Sequence, residues 1–204
     1  MISRLCHLII LIFFSIIIQS CDDEWVFEVP IMPEFLVIDA SSYDDWIYFS
    51  FELDEVVDIS EPENSLNWDM AFKRNNIKTN GGLSGQGNVC AIVDDDQFWT
   101  NDLFEVAEQI SSEACQSDEL IEGNITFPYQ GCYNNTTHIF TSCVKNPALD
   151  NWGWFEEGTY RFNINNYQFF IKDVNGLYLK FWPINFYDTN GERGKISMTY
   201  QYIN

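Results

Sequence analysis

Lys195–Tyr202 alternates Ile196, Met198 and Tyr200 with Ser197, Thr199 and Gln201. A period of two gathers apolar residues on one face only if the chain is extended, so this segment is a half-buried β-strand. Three further segments before it, Tyr160–Ile164, Tyr167–Lys172 and Leu177–Trp182, are rich in aromatic and branched residues and read as strands. Asn175-Gly176 lies between the second and third, and Asn-Gly takes the positive φ of a tight hairpin turn. Phe186 leads into a second turn over Asp188–Gly191.

The first half carries the same signature. Trp46–Phe51 is aromatic without Gly or Pro, and Glu55–Ser60 pairs back across a short turn at Glu52–Asp54. Trp68–Arg74 sets Trp68, Met70 and Phe72 against Asp69, Ala71 and Lys73, again a period of two. Asn76–Thr79 is expected to continue that strand, and Asn80-Gly81-Gly82 to end it. Strands at both ends joined by hairpin turns predict an all-β fold, an antiparallel sheet or sandwich. Residues 83–153 carry weaker patterning and read as a loop-rich insertion, with one helix expected over Asn101–Ile110 and a short strand over Thr136–Thr141.

The N-terminus reads as an address. Met1–His7 carries one Arg and no acid, and Leu8–Ile18 is an apolar run broken only by Ser15. Eleven residues suit a signal peptide and are too few to span about 30 Å of hydrocarbon as a helix. Ile18-Gln19-Ser20-Cys21 resembles the lipobox of bacterial lipoproteins, which implies lipidation of Cys21. Asp22-Asp23-Glu24 resembles the surface-export signal of some outer-membrane lipoproteins. The expected organisation is a signal peptide over 1–20, a lipidated Cys and tether over 21–44, and a β domain over 45–204.

Cys6 leaves with the signal peptide and Cys21 carries lipid, so Cys90, Cys115, Cys132 and Cys143 remain. An even number in an oxidising compartment predicts two disulfides, with three pairings open. The spacing lacks the paired Cys-x₂₋₄-Cys of a zinc site. All four lie in the 83–153 segment, which they would staple.

The formal net charge is −21. Such a field repels phosphate backbones and excludes nucleic acid as a partner. Asp94-Asp95-Asp96 offers oxygen ligands for Ca²⁺, but an EF-hand loop begun at Asp94 puts Phe98 at its fifth position and Trp99 where Gly is required, so the run reads as an acidic turn. No G-x-S-x-G, His-Glu-x-x-His, phosphate loop or Rossmann fingerprint occurs, and the chain reads as a binding protein rather than an enzyme.

The stretch from Trp68 to Gly82 resembles a hallmark of the HmuY family, haem-binding lipoproteins of Gram-negative outer membranes. Phe169–Lys180 and Gly194–Tyr202 are similar to the same family, in matching order and spacing. The resemblance implies an all-β fold, no enzymatic activity, haem as cofactor, and delivery of haem to an outer-membrane transporter. It also implies iron ligands from the variable middle region. Physically, the Trp68–Gly82 stretch reads as scaffold: Trp68, Met70 and Phe72 as core, Arg74 paired with an acid, and Gly81 and Gly82 in a turn. The ligand candidates are His138, the single His after the signal peptide, with Tyr129 and Tyr133 nearby; His and Tyr both ligate haem iron. Met70 and Met198 read as core, and Met32 lies in the lead-in. Phe98, Trp99, Phe104, Trp152 and Trp154 are the aromatics expected to form a haem slot. A rival reading keeps the scaffold without haem and uses Trp152–Phe155 as an adhesion surface for a protein or glycan.

Overall fold

The computed structural model describes residues 35–99, 110 and 115–203. Two antiparallel sheets carry the fold. The first has four strands in the order β3-β2-β4-β5: β2 is Ile47–Ser50, β3 Glu55–Val57, β4 Met70–Lys73 and β5 Asn76–Thr79. The second has five, in the order β1-β15-β14-β13-β6: β1 is Leu36–Asp39, β6 Cys90–Phe98, β13 Tyr167–Lys172, β14 Tyr178–Tyr187 and β15 Arg193–Tyr202. Phe49, Met70, Phe72 and Ile77 of the first sheet share one buried core with Ile38, Phe169, Phe181, Ile196 and Met198 of the second. The result is an all-β sandwich, as the alternating strands predict.

Asp69 ties the sheets together. Its carboxylate accepts the N–H of Phe51 at 2.8 Å and the N–H of Val174, beside the β13–β14 turn, at 2.9 Å. Burial pushes its pKa up, and these two hydrogen bonds work against that shift. Asp118 acts alike below β5, accepting from the N–H of Thr79 at 2.8 Å, its hydroxyl at 2.6 Å and Asn146 Nδ2 at 3.1 Å.

Several expectations need correction. Asn76–Thr79 does not continue the preceding strand; it folds back on it, pairing Lys73 with Asn76 and Met70 with Thr79. The reversal occurs at Arg74, whose φ of 54° is left-handed. The Trp68–Phe72 stretch is not half-buried. Trp68 through Phe72 are all buried; the turn at Pro62–Asn64 accepts the Trp68 indole N–H at 2.8 Å, and the Asp69 carboxylate takes the N–H groups of Phe51 and Val174. Leu177–Trp182 is too short: β14 runs through Pro183 to Tyr187 by breaking register with β15 at that point, the irregularity a strand proline needs. Tyr160 is not in a strand either; it closes a turn with φ 54°, and β12 is only Phe162–Ile164.

The largest correction concerns the supposed insertion. Cys90–Phe98 is a nine-residue strand of the main sheet, and Asp94-Asp95-Asp96 lies within it rather than in a turn. Beyond it come three two-stranded ribbons: β7 (Glu119–Ile121) with β10 (Cys143–Lys145), β8 (Cys132–Asn134) with β9 (Ile139–Thr141), and β11 (Gly153–Phe155) with β12. The short strand expected over Thr136–Thr141 begins only at Ile139. The helix expected over Asn101–Ile110 lies outside the described residues except for Ile110. The two disulfides are Cys90–Cys115 and Cys132–Cys143, with Cα separations of 5.5 and 5.7 Å. Among the described residues no helix is long and apolar enough to cross a membrane.

Candidate functional site

The β8–β9 hairpin is built by its own side chains. Asn134 Oδ1 accepts the N–H groups of Thr136 and Thr137, each at 2.9 Å, and the His138 N–H reaches the Asn134 carbonyl at 2.9 Å. This Asx-type turn sets His138 in the left-handed region, φ 56°. The Cys132–Cys143 bond fixes the base of the hairpin. On the hairpin's face Tyr133 and Phe140 are cross-strand partners with ring centroids 5.4 Å apart.

This face forms one wall of a cleft of about 450 Å³, within the range that holds a small ligand or cofactor. Tyr129 lies nearly parallel to Phe140 at 5.2 Å and stacks on Tyr160 at 5.7 Å. Tyr43 meets Tyr133 at 5.9 Å. The facing wall brings Phe155 and Phe186 from the core, with Arg74 and Arg193 beside them.

Tyr129, Tyr133 and His138, named from sequence, therefore share one cleft. They differ in what they offer. The Tyr133 hydroxyl and His138 Nδ1 share a hydrogen bond of 3.0 Å, and Nε2 of His138 has no protein partner among the described residues. Hydrogen bonding to Tyr160 pushes the Tyr129 phenol up, which opposes the phenolate that iron would need.

The expected haem slot is not assembled from the aromatics singled out for it. Trp152 is buried in the core with its indole N–H on the Asn75 carbonyl at 2.8 Å. Trp99 stacks on Trp182 at 4.2 Å, on the five-stranded sheet. Phe98 and Trp154 are largely exposed; Phe104 and Cys21 lie outside the described residues. Among the described residues Arg74 does not pair with an acid. Its Nη1 donates to the carbonyls of Ser41 at 2.9 Å and Arg193 at 3.1 Å, and its guanidinium lies over the Tyr43 ring at 4.3 Å. Burial lowers its pKa, and the neighbouring charge of Arg193 adds to that. Tyr43, Phe186 and Arg193 had no sequence signal as site residues, since Tyr43 lies more than a hundred residues from the other two and none falls in a recognisable motif. No cluster of His, Cys, Asp and Glu that could hold a bare metal ion exists among the described residues.

Fold and cleft together define an antiparallel β sandwich whose disulfide-held hairpin closes over a concave, aromatic surface. The chain belongs to the HmuY family: the family's sequence profile, described as HmuY protein, matches residues 42–200. Solved structures share the fold at low identity. An apo HmuY analog of Tannerella forsythia aligns with a TM-score of 0.60 at 17% identity, covering 85% of this chain and 96% of its own. A Bacteroides vulgatus protein, proposed as an HmuY-like haem-binding protein, gives 0.57 at 18%, covering 83% and 91%. A Bacteroides fragilis protein, proposed as a lipoprotein, gives 0.59 at 16%, covering 83% and 89%. Comparison with curated protein sequences gives no match.

Proposed function

We propose that the cleft binds an iron porphyrin and that His138 Nε2 is an axial ligand to its iron. The observation that carries this reading is the Tyr133–His138 hydrogen bond at the mouth of an aromatic cleft. Engaging Nδ1 fixes the ring and leaves Nε2 to a metal, the arrangement in which histidine ligates. Stacked rings at Tyr129, Phe140 and Tyr160 suit a flat, apolar guest. Family membership and the Bacteroides vulgatus relative support the same ligand. The protein has no catalytic role in this reading. Lipidation at Cys21 anchors it to the outer membrane, facing outward, and the bound haem passes to an outer-membrane transporter. The apolar run and the Cys21 sequence support the anchor.

The test is a titration of the detergent-solubilised chain with ferric haem. A saturable shift of the Soret band that weakens in His138→Ala is expected. A folded protein that gives no specific spectral change removes the porphyrin and leaves protein or glycan binding. The exposed Trp154, 48% accessible on β11, favours that second reading.

A further inference from the structure

The chain holds 31 acids and only 10 lysines and arginines. A basic residue in such a field would be expected beside a carboxylate, yet Arg74 and Arg193 both line the cleft, where Arg74 Nη1 donates to the Arg193 backbone carbonyl at 3.1 Å. Among the described residues the two ion pairs formed are Lys145–Asp150 and Lys195–Asp39, and neither arginine takes part. The acids nearest in sequence to Arg193, Asp188 and Glu192, act on Lys195. Arg74 is shaped first by burial, then by the Tyr43 hydroxyl and by Arg193.

The arrangement is built rather than incidental. Nη1 of Arg74 is spent on two backbone carbonyls, while the guanidinium is held between the rings of Tyr43 at 4.3 Å and Phe186 at 5.7 Å. Gly194 makes room for it: a Cβ there would lie 2.9 Å from Arg74 Nη1 and 2.8 Å from the Ser41 Cα. Nη2 and Nε of Arg74 have no protein partner among the described residues. A guanidinium presents a planar fork of donors matched to carboxylate oxygens. Two like charges lining one cleft repel each other, and an anion bound between them would relieve that repulsion.

We infer that Arg74 and Arg193 form a carboxylate clamp that reads the acidic side groups of the cleft's ligand. The inference rests on the porphyrin reading and specifies its guest as a porphyrin with free carboxylates, held with those groups toward β15 and the iron toward His138. The clamp also gives the acidic protein a local positive edge at the cleft, which favours an anionic guest there.

The experiment compares ferric protoporphyrin, which has two free carboxylates, with its dimethyl ester on the detergent-solubilised chain. The variants are Arg193→Gln, His138→Ala and, as a control outside the cleft, Lys172→Gln. Arg193 is exposed, and the contact it makes to Arg74 uses its backbone carbonyl, so Arg193→Gln retains the fold. The wild type is expected to prefer the diacid at least tenfold, the size of one charge-assisted hydrogen bond. Arg193→Gln should lose most of that preference and Lys172→Gln none. Equal affinity of the wild type for both porphyrins, still weakened by His138→Ala, overturns the clamp and leaves the porphyrin reading intact. A diacid preference that Arg193→Gln removes while His138→Ala changes no spectrum keeps the clamp and overturns His138 as ligand. No binding of either porphyrin by folded protein overturns both.

Discussion

The Tyr133 hydroxyl lies 3.0 Å from His138 Nδ1, across a hairpin whose turn places the histidine in left-handed backbone. Both ring orientation and tautomer of His138 thus depend on a residue five positions earlier. Removing such a partner of a metal-binding histidine typically costs 10–100-fold in metal affinity. Tyr133→Phe should therefore weaken haem by about that factor while keeping the spectral type of the complex. If Tyr133 were itself the ligand, the variant would change the spectral type, which absorption spectra of the saturated complexes decide.

Cys132–Cys143 closes a short loop that contains the whole hairpin. Replacing both with Ser should cost about 2–4 kcal/mol of unfolding free energy. It should also weaken ligand binding, since Tyr133, His138 and Phe140 all lie between the two sulfurs. Urea unfolding and haem titration of the double variant measure the two effects. An unchanged midpoint would show that the hairpin is held by its pairing alone.

Asp118 is nearly inaccessible and accepts hydrogen bonds from Thr79 and Asn146. Asp118→Ala leaves the buried Thr79 N–H without that partner and should destabilise by about 3 kcal/mol. Asp118→Asn retains an acceptor and should cost less. Denaturant midpoints of the two variants give the order; a reversed order would mean the carboxylate's charge is itself the liability.

Lys78 lies under three rings, Trp46 at 4.7 Å, Tyr48 at 5.1 Å and Trp68 at 5.4 Å. Burial lowers its pKa to about 8 from the ordinary 10.5. The unfolded chain therefore binds the extra proton between those values, and the Lys78 contribution to stability rises with pH across that window. Below about pH 8 its penalty is present in full. Acylation of Lys78, followed by mass spectrometry, should show a pH–rate midpoint near 8, and Lys78→Met should remove the rise in stability. Labelling no faster than at Lys172 would refute the shift.

Much of the fold was legible because its strands are rich in aromatic and branched residues bounded by turn signals, and because a strand such as β15 that faces the core on one side alternates. β2, β13 and β15 read directly. β6 did not, because its three successive aspartates look like a turn, whereas in the sheet they are simply the polar end of an edge strand. The β4–β5 reversal was hidden because Arg74 occupies the left-handed position where Gly or Asn would have signalled a turn; contacts to Ser41, Tyr43 and Arg193 hold it there. Cysteine counting gave two bridges but not their pairing, which geometry alone decides. His138, Tyr129 and Tyr133 were legible as a group because one hairpin and its approach carry them. Arg74 reaches the cleft from the β4–β5 turn and Phe186 and Arg193 from β14 and β15, and no local pattern announces a residue whose role depends on a neighbour over a hundred positions away.

Asp69 receives one N–H from each side of the sandwich. Prising the layers apart would break the Asp69–Val174 hydrogen bond and leave a buried carboxylate short of one of its two amide donors, which opposes a route for a guest between the sheets. The other approach is the cleft's rim, where the exposed hairpin tip is held by the Asn134 turn, the β8–β9 pairing and the Cys132–Cys143 bond.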